Sequence, residues 1–333
     1  MEDVMRSAIW GAMLAVAVGH SAMGQAALPD VARGIAVQAD KGYAVEQIGE
    51  GLYFVTDGFY TTMFMTTGAG TIVVDAPPSL GDKMLRAVRD VTNEPIRWVV
   101  YSHSHADHIG AASMYPKDAM YIAHKETLAR LERTNDTGRI APYGAFVGGQ
   151  AVPLPTVTFD DQYELKVGNQ ALTLSYRGNN HEPGNIYIYA PRQRVLMQVD
   201  VIFPGWTPFK DLAIAEDITG YVKAHDVILS FPFDKMVTGH WNRYATRQDV
   251  ETQRDYIHDI ERNAVAALKS VDFYGVASRT GTQDLARLFD TYLNEVAQKC
   301  ADATMENWKA RLAGVDVWTN SHCQQIVNAL RVD

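Results

Sequence analysis

The chain has 333 residues, 30 Lys+Arg against 39 Asp+Glu for a net charge of −9, and 47% hydrophobic residues. A chain of this length and apolar content buries a substantial core without a dense disulfide or metal framework, which excludes wholesale disorder. The acidic balance and the lack of any basic run argue against nucleic acid as a partner, because that binding rests on Lys and Arg neutralising phosphates.

The chain opens on an apolar run at 8–19 (AIWGAMLAVAVG), followed by Ala22, Met23 and Gly24, small residues of the kind found at a signal-peptidase site. Residues 1–24 are therefore expected to be a secretory signal cut after Gly24, which places the mature protein in the periplasm or outside the cell. Glu2 and Asp3 spoil the basic start such signals carry, whereas a start at Met5 puts Arg6 directly before the run. The run falls short of the roughly 20 residues a bilayer span needs, so no permanent membrane anchor is expected. The competing reading is a buried N-terminal helix.

Short apolar runs bounded by Gly, Asp and Pro then predict strands at 51–56 (GLYFVT), 62–66 (TMFMT) and 71–75 (TIVVD). Leu85, Val88 and Val91 share a helical face within 80–91, and 96–101 (IRWVVY) reads as a buried strand. A strand at 120–123 and a helix through Leu131 come next, then a polar, Gly/Pro-containing stretch at 134–155 that predicts a long surface loop. Further strands are expected at 156–159, 162–167, 171–177, 185–190, 195–199 and 236–238, with a helix at 221–230. From Thr246 the pattern turns helical: Thr246 and Asp249 resemble a capping box, Val250, Ile257, Ile260, Ala264 and Leu268 share a face, and a second stripe runs from Leu285 to Val296. The division expected is a catalytic domain at 25–245 and a helical extension at 246–333 packed on it. No internal repeat or low-complexity tract is present.

Only two cysteines occur, Cys300 and Cys323. In an oxidising compartment they are candidates for a disulfide; the alternative is two unrelated buried thiols.

The chemistry concentrates at 102–110, SHSHADHIG, where His103, His105, Asp107 and His108 follow a buried strand within six residues. A strand end leading into a tight turn projects alternate side chains the same way, so His103 and His105 can meet one cation and Asp107 and His108 a neighbouring one. Imidazole and carboxylate suit zinc, and also iron or manganese.

With these residues in view, the chain resembles the metallo-β-lactamase superfamily over about residues 48–245. The motifs stand in the family's order: Asp75 at an early strand end, HxHxDH, His181 in NNHEPGN, Asp200 in MQVD and His240 in VTGHW. The resemblance implies an α/β fold, a four-layer αββα sandwich with the metals at one edge of the paired sheets. It also implies that His103, His105 and His181 hold one metal, that Asp107, His108 and His240 hold a second, and that Asp200 bridges them. A carboxylate at 200 is the pattern of glyoxalase II-like and lactonase-like members, whereas β-lactamases of this fold place Cys or Ser there.

The function so implied is an exported dinuclear zinc hydrolase that cleaves an ester, a lactone or a thioester by attack of a metal-bound hydroxide, with Asp107 orienting the nucleophile or carrying a proton. The alternatives are a β-lactamase and a non-catalytic metal-binding receptor or carrier. The expected partner is a small acyl substrate. Phe59, Tyr60 and Met63 at the first hairpin, and Phe146, Trp206, Phe209 and Trp241 in rim loops, are candidates for contacting it, with ordinary packing as the alternative. Lys210 is a candidate carboxylate binder or a solvated surface lysine. His124, His225, His258 and His322 lack ligand partners at useful spacing and read as structural or surface residues.

Overall fold

The computed structural model describes residues 28–136 and 152–332. The expected signal at 1–24, and Phe146 within the expected loop, lie outside the described residues.

The apolar runs build two sheets. Seven strands, β1 (Ala44–Gly49), β2 (Leu52–Thr56), β3 (Thr61–Thr66), β4 (Thr71–Val74), β5 (Ile96–Val100), β6 (Met120–His124) and β7 (Val157–Phe159), lie side by side in chain order. The first four form an antiparallel meander, and β4 to β7 pair in parallel. Parallel neighbours need a crossover. Helix α1 (Asp82–Val91) supplies it between β4 and β5, and α2 (Ala106–Ile109) lies between β5 and β6. Helix α3 (Lys125–Asp136) follows β6 and extends past Leu131 into the polar stretch read as loop.

The second sheet has the order β12-β11-β10-β9-β8, from β8 (Gln162–Val167), β9 (Gln170–Ser175), β10 (Tyr187–Ala190), β11 (Val195–Met197) and β12 (Lys235–Val237). Helix α4 (Ile218–Ser230) crosses over between the parallel pair β11 and β12.

Side chains alternate across a strand, so each sheet has two faces to cover. The inner faces meet: Leu52, Phe54, Met63 and Ile72 from the first sheet pack with Leu174, Ile188 and Met197 from the second in one buried cluster. Met63 belongs to this core and is not a rim residue, because its alternation in β3 points it between the sheets. The outer face of the first sheet packs Phe64, Val73 and Val99 against Met84 and Val88 of α1 and Ile109 of α2. The outer face of the second packs Tyr187, Leu196 and Met236 against Tyr221 and Ile228 of α4. This is the four-layer αββα sandwich.

Helices α5 (Arg247–Ser270), α6 (Phe273–Thr280), α7 (Leu285–Trp308) and α8 (Val315–Val332) complete the described chain. The Thr246–Asp249 capping box starts α5. Val250, Ile257 and Ile260 of α5, Val296 and Ala297 of α7 and Ile326 and Val327 of α8 share the cluster that covers the second sheet. A disulfide between Cys300 and Cys323 joins α7 to α8, with both residues fully buried.

Candidate metal centre

The site forms where five chain segments end at one edge of the sandwich. His103 and His105 leave the end of β5, and Asp107 and His108 sit on the single turn of α2. That turn is held from behind. Asp75, just past β4 with a left-handed φ of 54°, accepts the Ser102 N–H at 2.7 Å through Oδ1, and the Ala76 N–H donates to the His108 carbonyl at 2.7 Å. Asp75 is therefore a buttress beneath the HxHxDH turn, and burial raises its pKa. His181 lies between β9 and β10, its N–H held by Asn180 Oδ1 at 2.7 Å. Asp200 follows β11 and His240 follows β12.

Two of these positions carry backbone strain or its relief. Asp200 has a φ of 64°, a conformation costing a non-glycine residue of order 1–3 kcal/mol and typical of functional sites. Gly239 has a φ of +89°, and a Cβ there would lie 2.5 Å from Val199 Cγ1 and 3.1 Å from His108 Cε1. Only glycine lets the His240 segment approach His108 this closely.

All seven predicted ligands come together. Asp200 Oδ2 lies 3.4 Å from His103 Nε2, 3.2 Å from His181 Nε2 and 3.2 Å from His108 Nε2, while Oδ1 lies 2.9 Å from His240 Nε2. On one side His181 Nε2 is 2.9 Å from His105 Nδ1; on the other His108 Nε2 is 3.2 Å from His240 Nε2 and 3.5 Å from Asp107 Oδ2. The donors fall into two sets, His103, His105, His181 and Asp200 in one and Asp107, His108 and His240 in the other, with Asp200 between them.

The donor set fits a pair of divalent cations. Zinc–nitrogen bonds of about 2.0–2.1 Å in a tetrahedron separate ligand nitrogens by about 3.3 Å, near the spacings observed. His103 Nε2 is buried without a hydrogen-bond partner, a costly state for a polar atom unless a cation takes its lone pair. The electrostatics agree. Burial opposes charge on His108, but Asp200 and Asp107 outweigh it and push its pKa up to about 10. In His181 burial dominates and the pKa falls to about 3. The two carboxylates thus favour positive charge at the junction, and the buried imidazole of His181 stays neutral, the form that ligates.

Glu182 is a functional residue that spacing arguments missed. It is completely buried next to His181, and Oε2 lies 3.2 Å from His105 Nε2, the ring nitrogen facing away from the metal set. It also accepts from Ser104 N at 2.6 Å, Ser104 Oγ at 3.1 Å and Arg130 Nη1 at 3.2 Å. Burial works against its charge, yet the His105 hydrogen bond and the neighbouring donors hold its carboxyl well below the usual range. A carboxylate on the far nitrogen of a ligand histidine fixes its tautomer and orientation. Ser102 Oγ, 2.9 Å from His103 Nδ1, does the same for His103. His105, Glu182 and Glu216 also cluster, but Arg130 reaches Glu216 with two bonds of 2.7 and 2.6 Å and supplies the cation there. The only sequence sign of Glu182 was its place beside His181.

A cavity of about 510 Å³ opens over the centre, lined by His105, Asp107, His181, Asp200 and His240 below and by Phe59, Phe203, Phe209, Ile214 and Trp241 around it. Tyr60 lines it too, donating from its hydroxyl to Asp107 Oδ2 at 3.2 Å, with its ring 4.7 Å from that of His240. Ser79 adds a hydroxyl that no residue pairs among the described ones. Trp206 does not line this cavity. It stacks on Trp241 at 4.4 Å and faces an adjoining groove. Lys210 is exposed at the start of a tight turn. His124, His225 and His322 are buried on protein partners away from the centre, His124 Nε2 on the Asp160 carbonyl at 2.7 Å, His225 on Tyr221 O and His322 on Phe209 O.

Comparison with known proteins gives a consistent picture. The sequence profile of the metallo-beta-lactamase superfamily matches residues 55–252. The 2,4-dinitroanisole O-demethylase subunit alpha of Nocardioides sp. (strain JS1661) is 25% identical over 242 residues, 68% of this chain and 69% of that protein. Human acyl-coenzyme A thioesterase MBLAC2 is 22% identical over 281 residues, 72% of this chain and 97% of that protein. Among solved structures, a metallo-beta-lactamase from Pontibacter korlensis superposes with a TM-score of 0.52 at 15% identity, covering 64% of this chain and 97% of its own. The sec-alkylsulfatase Pisa1 from Pseudomonas sp. superposes with a TM-score of 0.55 at 15% identity, covering 86% of this chain and 50% of that one.

Proposed function

The chain belongs to the metallo-β-lactamase superfamily, and from that premise we propose that it is an exported dinuclear zinc hydrolase of carboxylic esters, lactones or thioesters with an apolar acyl part. The observation that carries the reading is Asp200, whose carboxylate lies within 3.4 Å of His103 and His181 of one donor set and within 3.2 Å of His108 and His240 of the other, beneath an aromatic-walled cavity. The likeness to an acyl-coenzyme A thioesterase supports the acyl substrate class. The Cys300–Cys323 disulfide supports an oxidising compartment, as does the apolar run at 8–19.

A bound cation pair supplies Lewis acidity and a water that ionises near pH 7. The residues do the rest. His103, His105 and His181 would hold one cation and Asp107, His108 and His240 the other, with Asp200 placed between the two donor sets. Asp107 is the more open of the two carboxylates lining the cavity, its side chain 28% exposed against 5% for Asp200, and Tyr60 donates to its Oδ2. It is placed to take the proton released by the attacking water and return it to the departing oxygen or sulfur. Phe59, Phe209 and Trp241 exclude water from the apolar part of the substrate.

The test is purified protein with its metals quantified, assayed on an acyl lactone, a chromogenic aryl ester, a coenzyme A thioester and a cephalosporin. Turnover of one of the first three with two zinc ions per chain supports the reading. Turnover of the cephalosporin alone makes the chain a β-lactamase, and two bound metals with no hydrolysis make it a binder.

A further inference from the structure

The groove that Trp206 faces is a second compartment of about 660 Å³, lined by Leu28, Ala32, Ile35, Val37, Phe59 and the stacked pair Trp206 and Trp241, with Arg33, Asp57 and Asn242 among its polar residues. Phe59 and Trp241 also line the metal cavity, so the two spaces share a wall. Leu28 and Phe59 are 50% and 68% exposed.

The groove is built and held open. Its outer wall is the segment 30–37, which has little regular structure of its own and is fastened at three points: Ile35 N–H to Asn242 O at 3.0 Å, Trp206 Nε1–H to Ala32 O at 3.4 Å, and the Arg243 guanidinium to Val31 O at 2.7 Å. Gly34 lies so close to Asn242 that a Cβ would fall 1.8 Å from its Oδ1. The opposite wall is the hairpin tip carrying Phe59, whose carbonyl accepts the Trp241 N–H at 2.7 Å. Both walls are thus hydrogen-bonded to the 241–243 segment, and the Trp206–Trp241 stack forms the floor between them.

We propose that this groove receives an extended alkyl chain of the substrate, running from the metal cavity past Phe59 and Trp241. The metal cavity is large enough for the reacting group and a short substituent, falling inside the roughly 300–1,000 Å³ of ordinary ligand sites. A second apolar compartment sharing two aromatic side chains with it makes chain length the property selected. The walls offer a carboxylate or phosphate no cluster of cations, since Arg33 pairs with Asp30 and Arg243 with Asp249. An uncharged hydrocarbon chain matches the lining. The inference rests on the hydrolase reading for the place of the reacting group, and the two side chains the spaces share, Phe59 and Trp241, are the chain neighbours of Tyr60 and His240.

The experiment measures kcat/KM of the zinc-loaded full chain on two series of chromogenic or coupled-assay esters, one lengthened on the acyl side from acetyl to dodecanoyl, the other on the alcohol side. Burial of each methylene multiplies binding by about fourfold, so the ratio of long-chain to short-chain kcat/KM is expected to climb steeply in one series and then level off. The side that climbs identifies which end of the substrate enters. Val37→Trp, which fills the groove, should lower that ratio at least tenfold, and Val37→Ala should preserve it. A flat series on both sides, or the same ratio in Val37→Trp as in the parent, overturns the groove while leaving the hydrolase reading intact. If no ester, lactone or thioester is turned over, the hydrolase reading fails and the groove is judged by tryptophan fluorescence. Decanoate or decanol then perturbs the parent and not Val37→Trp if the groove takes a chain, and perturbs both alike or neither if it does not.

Discussion

Glu182 offers the sharpest test of how the centre is held. Its carboxylate takes four donors, and the one from His105 Nε2 leaves Nδ1 of the same ring facing His181 Nε2 at 2.9 Å. Glu182→Gln keeps the shape and an oxygen for one donor but removes the charge. A hydrogen bond to a charged group contributes about 1.5–3 kcal/mol against about 0.5–1.5 for a neutral one, so the His105 contact weakens by about 1–1.5 kcal/mol. That predicts about tenfold weaker binding of the cation at the His103, His105, His181 and Asp200 set. Glu182→Ala also strands the Ser104 N–H, which donated at 2.6 Å. An orphaned buried donor costs a further 1–3 kcal/mol or so, and the combined loss approaches the roughly 100-fold upper range for partners behind ligand histidines. Competition with a zinc chelator, followed by metal content, reads the affinity directly, and circular dichroism checks that both variants fold. Equal zinc affinity in the parent and both folded variants would refute the positioning role. Loss of activity with unchanged affinity would refute it too, and would place Glu182 in the reaction itself.

Three further outcomes follow from other parts of the molecule. Asp200→Asn removes the charge shared by both donor sets, and the bound metal found by elemental analysis should fall, with turnover dropping by about 100-fold or more. His225 and His322 are fully buried, and desolvation lowers each pKa to about 4 from an ordinary 6.5. A depressed pKa means that the unfolded chain takes up the proton first, so each histidine's contribution is complete above pH 6.5 and is lost as pH falls through that value to about 4. The loss per histidine is about 3 kcal/mol at full titration; urea unfolding of metal-free protein should show His322→Gln with a shallower decline between pH 6.5 and 4 than the parent. The Cys300–Cys323 bridge spans 23 residues, and on the chain-entropy model its loss costs about 3 kcal/mol; Cys300→Ala with Cys323→Ala should lower Tm by about 4–5 °C, with reductant then having no further effect.

The cluster of proposed metal ligands was legible because its chemistry leaves few substitutes. Five imidazoles and two carboxylates at strand ends, in a fixed order, form a pattern that neither core packing nor a solvated surface produces. The strands and the capping box of α5 were legible for a related reason: alternation and cap chemistry are local. What the sequence hid depends on contacts between distant segments. Strand β1 carries Glu46 and Gln47 in its middle and reads as polar, and it forms because β2 supplies its hydrogen bonds. Glu182 looks like one more exposed acid until the fold brings His105, Ser104 and Arg130 to it. Trp206 and Trp241 read as equivalent rim aromatics, and only the fold separates Trp241, which lines both the metal cavity and the groove, from Trp206, which lines the groove alone.

The helical extension shapes the cavity as well as covering the second sheet. Asp211, Leu212, Ala213 and Ile214 form a left-handed turn, with φ between 55° and 59°, and Ala213 and Ile214 line the cavity over the metals. Left-handed helix costs an L-residue about 1–2 kcal/mol, so four in a row cost about 4–8 kcal/mol. The sequence offers no glycine there to reduce it. Leu212 is fully buried, contributing about 1.5–3 kcal/mol. Four hydrogen bonds at about 1 kcal/mol each bring the total close to the cost: Ala213 N–H to Phe209 O, Ala215 N–H to Leu212 O, Asp211 N–H to Ser321 Oγ and His322 Nε2–H to Phe209 O. The last two come from α8, the helix that the disulfide ties to α7. Without α8 the turn keeps its strain and loses half of those bonds, and Phe209, Ala213 and Ile214 lose the support that sets them over the centre. The extension therefore supports the wall of the cavity from behind, through Ser321 and His322.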